Sequence, residues 1–202
     1  LALAICNGPA RDATVGTIGT ADGSYREFAL AGRHAAFTAT FPQDVTFHLG
    51  TDREQEAWPY VHPGPLDGWA GSRVHPFRIE FDVAQPSSDD LVVVLHLVDT
   101  HAARPPRLRA ELNGLGEELQ LLPGAGDESL ADAGKGAHRR EEFCFPAAAL
   151  SNGRNSLTLS IVAGSFILLG FVLLSIAALP HMSHVPWQPF AKGGQGALGA
   201  LG

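Results

Sequence analysis

Short runs in which apolar and polar residues alternate with a period of two constrain this chain more than any other feature. From Phe77 to Val83, within the stretch that starts at His75, Phe77, Ile79, Phe81 and Val83 alternate with Arg78, Glu80 and Asp82. That is the pattern of a strand with one face in a core and the other in water. Leu108, Ala110 and Leu112 alternate with Arg107, Arg109 and Glu111 and stop at Asn113-Gly114, a hairpin-turn pair. Leu157, Leu159 and Ile161 alternate with Ser156, Thr158 and Ser160 after the turn-forming residues Asn152-Gly153-Arg154-Asn155. Further strands are expected over 45–49, 91–98, 119–122 and 142–145, and no long helical period occurs. Twenty-three glycines and fourteen prolines supply turns between such strands. The expected fold is therefore all-β, an antiparallel β-sandwich of the jelly-roll kind, with Phe77, Ile79, Phe81, Leu108, Leu112, Leu157 and Leu159 sharing one core.

Residues 161–179 form nineteen positions without a charge, long enough on paper to cross a bilayer. The strand alternation nevertheless continues into the run, and Gly164-Ser165 reads as a turn. Residues 166–176 then suit one strand buried on both faces, which is the expectation here; the alternative is a membrane-tethered ectodomain anchored by 161–179. At 202 residues, with 45% hydrophobic and 17% charged, the chain suits one domain with a core. The expected division is an N-terminal extension over 1–14, the sandwich over 15–176 and a Gly/Pro-rich flexible tail over 177–202. A net charge of −7 with only Lys135 and Lys192 as lysines offers no stripe for a phosphate backbone, so nucleic acid is excluded as a partner. Cys6 and Cys144 are too few for a disulfide scaffold and lack zinc spacing; one bridge between them and two free thiols are both open.

The segment from Trp58 to Trp69 concentrates aromatic rings in a proline-stiffened stretch. Trp58, Tyr60, His62 and Trp69 in such a loop are expected to grip a ligand with an apolar face and a polar edge, as a sugar ring has. The competing reading is an aromatic plug over the end of the sandwich. Arg73 and His75, just beyond, are candidate donors to a sugar carboxylate, which matches the forked guanidinium, or simply solvated residues at a strand entry. Asp99 and His101 close a strong strand two residues apart and could bind sugar hydroxyls, orient one another or share a metal, or Asp99 could simply cap the following turn with His101 exposed. Gly124-Ala125-Gly126-Asp127 is a glycine-rich turn that could hold a structural calcium, on a single aspartate, or simply be a turn. No catalytic set and no other cofactor is expected.

The order of several short segments carries a resemblance. Residues 18–28 (Ile-Gly-Thr-Ala-Asp-Gly-Ser-Tyr-Arg-Glu-Phe), 42–50 (Pro-Gln-Asp-Val-Thr-Phe-His-Leu-Gly) and the run from Trp58 to Trp69 come first. Leu97-Val98-Asp99-Thr100-His101, Asn113-Gly114, residues 124–127 and Gly164-Ser165-Phe166 follow. Over 15–176 the chain resembles the C-terminal, carbohydrate-binding-like, galactose-binding-like jelly-roll domain of the rhamnogalacturonan lyases of polysaccharide lyase family 4. It departs after Phe166, where similar domains carry an aromatic and a Tyr-Asp pair and this chain has Ile167-Leu168-Leu169-Gly170. The resemblance implies an extracellular or periplasmic domain that helps a pectin-degrading lyase hold a rhamnogalacturonan-like polysaccharide, beside a catalytic domain of the parent chain. An alternative role is structural packing against that domain without a sugar site. In the family, β-elimination is the work of a lysine and a histidine of another domain. Lys135, in Gly134-Lys135-Gly136, and Lys192 lack the rigid shell of a positioned base.

Overall fold

The alternating segments pair into two five-stranded sheets packed face to face. The computed structural model describes residues 13–84 and 88–177. In chain order the strands are β1 (Ala13–Gly19), β2 (Val45–His48), β3 (Val61–His62), β4 (Phe77–Val83), β5 (Asp90–Thr100), β6 (Arg107–Leu112), β7 (Leu115–Gln120), β8 (Arg139–Phe145), β9 (Gly153–Ala163) and β10 (Ile167–Ala177). One sheet runs β1-β10-β5-β8, with the short β3 also paired to β10; the other runs β2-β4-β9-β6-β7.

Register places the expected core residues on one face. Phe77 lies opposite Leu159 and Ile79 opposite Leu157, while Leu112 lies opposite Leu157 from the other side. All seven predicted core side chains are buried in one cluster together with the inward residues of the first sheet. Between β6 and β7, Asn113 (φ 48°) and Gly114 (φ 93°) both adopt the left-handed backbone that a two-residue hairpin turn of this twist requires. Leu112 therefore pairs at once with Leu115, so β7 starts four residues ahead of the strand expected at 119. This edge strand is exposed and ion-paired, with Arg107 and Arg109 both reaching Glu118, which suits an unpaired sheet edge.

Two features depart from the antiparallel expectation or resolve an alternative. β2 runs parallel to β4, the one parallel pair among the named strands of the described residues. Alternation specifies which face of a strand is buried but not its direction, and the long 49–76 connection leaves room for the chain to return to the same end. The uncharged run 161–179 is divided by the turn at Gly164-Ser165 between the end of β9 and β10; residues 178 and 179 lie outside the described residues. β10 sits between β1 and β5 and carries buried side chains on both faces. Val172, Leu174 and Ile176 point into the core, and Leu173 and Ala177 join Val92, Val94 and Cys144 in a second apolar cluster on the opposite face. Among the described residues no helix is long and apolar enough to cross a membrane. Cys144 is disulfide-bonded, which removes the free-thiol alternative for it; Cys6 lies outside the described residues. The extension expected before residue 13 and the tail expected after 177 lie outside them as well.

Candidate functional site

The aromatic segment turns its rings inward. Trp58 has no exposed surface and stands edge-on between Phe47 and Phe77, with centroid distances of 5.7 and 5.4 Å. Tyr60 is equally buried: its ring leans on Tyr25 and its hydroxyl donates to the Leu130 carbonyl at 2.9 Å. Burial pushes its phenol pKa well above the ordinary value. The stretch is held from both sides, since β3 pairs with β10 and Asp67 accepts bonds from the Gly64 amide and the Ser165 hydroxyl. A Cβ at Gly64 would stand 2.6 Å from the Gly164 carbonyl oxygen, so only glycine lets the two loops approach this closely. The expectation that Trp58 and Tyr60 present ring faces to a ligand is thus corrected: their apolar area is large enough to close the end of the core, and the chain uses it there.

The two histidines expected to meet a ligand are also interior. His62 lies flat on Phe77, 3.8 Å between centroids, and its Nε2–H donates to the His75 carbonyl at 2.7 Å. His75 donates from Nε2 to the Ala70 carbonyl at 2.9 Å. Burial lowers the pKa of both, that of His62 to about 3, so the fold disfavours the cationic form of each ring, and neither ring is exposed to a ligand's carboxylate. Trp69 and Arg73 alone of this group reach the surface. Trp69 is half-buried, with His34 against it at 5.2 Å, and Arg73 is exposed and paired to Asp44 at 3.0 Å.

Asp99 is a structural clamp. Fully buried, it accepts bonds from the amides of Ala125 (2.9 Å), Gly126 (3.2 Å) and Ala137 (3.2 Å), which fixes the 124–137 loop. A Cβ at Gly124 would stand 2.1 Å from the Thr100 carbonyl, so this turn, too, needs its glycine. The carboxylate is spent on backbone amides, and the reading of Asp99 as a free sugar ligand is corrected accordingly. His101 accepts the Arg104 amide on Nδ1 at 3.0 Å and directs Nε2 toward the exposed Asp127 at 3.8 Å. Its small exposed edge leaves little surface for a ligand. Among the described residues no group of three or more His, Cys, Asp or Glu is arranged around a metal position.

A concave feature lies elsewhere, on the outward face of the first sheet. A cavity of about 290 Å³ opens between the 21–23 loop and the start of β8, where β10 bulges against β5. Its floor is the row Phe171, His96 and Arg140, neighbours across β10, β5 and β8, with the His96 and Phe171 rings edge-to-face at 5.3 Å. Gly170 makes the floor possible, since a Cβ there would stand 3.0 Å from Val98 Cγ2 and 3.1 Å from the Ser24 carbonyl. His138 stands at the rim against Gly23 and turns Nε2 toward the Ala133 carbonyl at 3.3 Å. None of these residues is a candidate site residue in the sequence reading. The one signal was His96, the single polar residue within the apolar run Leu91–Val98.

Comparison with known proteins gives a family match and more distant likenesses. Residues 14–176 match the family described as CBM-like, polysaccharide lyase family 4, domain III. The chain is 28% identical over 155 residues to a rhamnogalacturonate lyase of Dickeya dadantii (strain 3937), a match over 73% of this chain and 25% of that protein. The chain thus spans about a quarter of the length of that relative. Among solved structures, a family 35 carbohydrate binding module from an environmental isolate is 14% identical with a TM-score of 0.34, covering 52% of this chain and 72% of the module. The insecticidal delta-endotoxin Cry8Ea1 of Bacillus thuringiensis is 13% identical with a TM-score of 0.39, covering 58% of this chain and 24% of the toxin.

Proposed function

The chain belongs to the CBM-like domain III family of polysaccharide lyase family 4, and on that premise we propose that it is a noncatalytic carbohydrate-binding domain. In this reading it helps a rhamnogalacturonan lyase of the extracellular or periplasmic space hold its polysaccharide. The observation that carries the binding role is the cavity on the outward face of the first sheet. It combines an aromatic ring in its floor, Phe171, with imidazole and guanidinium groups, the mixture of apolar face and polar donors that a sugar ring needs. Trp69 with Arg73 is a lesser surface feature, because half of that ring is already committed to His34 and Phe37.

A glycan array that includes rhamnogalacturonan and other pectic oligosaccharides tests the reading. Binding to pectic fragments, weakened by Phe171→Ala in a protein that melts like the parent, is the expected result. An array without any bound glycan would leave a domain that only packs against its lyase.

A further inference from the structure

We propose that the cavity between the 21–23 loop and β8 recognises the carboxylate of an acidic sugar, a hexuronate. The inference deepens the carbohydrate-binding reading and rests on it.

Charge is the first argument. The chain carries −7 overall, yet the cavity is lined by His96, His138, Arg139 and Arg140 and by no carboxylate. Glu142 pairs with Arg140 Nη1. That pairing occupies one nitrogen of a group with five N–H donors, and Arg140 stays largely exposed with the rest of its fork free for a second carboxylate. Arg139 is held at the edge by donating from Nη2 to the Pro123 carbonyl at 2.5 Å. Position is the second argument. Arg140 lies opposite His96 in the β5–β8 ladder, and His96 lies opposite Phe171 in the β5–β10 ladder, so a guanidinium, an imidazole and an aromatic ring are in line on a rigid sheet. A sugar ring resting on Phe171 would bring its C5 substituent toward Arg140 and its hydroxyls toward His96 and His138. His138, with Nε2–H turned to the Ala133 carbonyl, keeps Nδ1 to accept from a hydroxyl.

The test compares two ligands that differ at one group: trigalacturonate and its carboxyl-reduced counterpart, titrated calorimetrically into the whole chain at low salt. Trigalacturonate should bind about tenfold tighter, since a charge-assisted bond replaces a neutral one. Arg140→Gln should erase most of that difference, and His96→Gln should weaken both ligands alike. Equal affinity for the two ligands would overturn acid recognition while leaving carbohydrate binding in place. Failure of both, on a chain that binds no other glycan either, would overturn both readings. Inorganic sulfate that displaces trigalacturonate at equal concentration would reduce the cavity to a general anion site, which also overturns the proposal.

Discussion

Trp58 shows how a single residue changes meaning once its surroundings are known. In the sequence it opens a ring-presenting loop; in the fold it fills the space between Phe47 and Phe77 and has no exposed surface. Trp58→Ala should therefore cost about 3–5 kcal/mol of stability, the range for removing a large buried ring and leaving a cavity. Urea denaturation measures this, and a loss under about 1 kcal/mol would mean that the ring is not part of the core. His62 gives a second expectation, through pH. Unfolded, the imidazole takes up its proton near 6.5, but in the fold burial delays this to about 3. Across that window the unfolded state binds more protons, so the contribution is intact above 6.5 and stability falls as the pH falls, by roughly 1.4 kcal/mol per pH unit from this group. His75, also lowered by burial, acts in the same direction. The slope of stability against pH between 6 and 4 should be shallower in His62→Gln than in the parent, whatever the absolute loss; parallel slopes would contradict a buried neutral ring.

Among the elements, β10 carries the most. It is the strand between β1 and β5, it also pairs with β3, and its eleven residues bury side chains on both faces. A chain ending at Gly164 would lose this strand and leave β1 and β3 without a partner and the Val92–Val94 cluster open. Each lost apolar side chain forfeits on the order of 25 cal/mol per Å² of burial, so no cooperative melting transition is expected from the truncated chain. Calorimetry would show it, and a truncated chain that melts like the parent would demote β10 to an appendage. The loop between β8 and the strand that precedes it owes its shape to other elements. Asp99 at the end of β5 and Tyr60 ahead of β3 both bind its backbone, so residues far apart in sequence define a segment that itself adds only Leu121 and Leu130 to the buried core.

For the whole molecule, one apolar cluster takes in both sheets and the aromatic segment. Heat or urea should accordingly unfold it in a single step, with tryptophan fluorescence and far-ultraviolet circular dichroism giving coincident transitions; separated midpoints would divide the sheets into independent units. What the sequence determined alone is whatever depends on local pattern. Phe77 to Val83, Leu108 to Leu112 and Leu157 to Ile161 could be read as strands with their inward residues named, because a period of two is a property of neighbours. Asn113-Gly114 could be read as a turn because a left-handed backbone is a property of those two residues. The resemblance to domain III of the family 4 lyases was likewise legible from the order of short segments. The tertiary structure decided everything that depends on what lies across a gap: the parallel β2, the inward turn of Trp58, Tyr60 and His62, and the use of Asp99 as a clamp. It also decided the cavity, since Phe171, His96 and Arg140 come from three strands and become neighbours only through sheet register. A polar side chain is a ligand or a brace according to which donors surround it, and those donors are brought there by the folded chain.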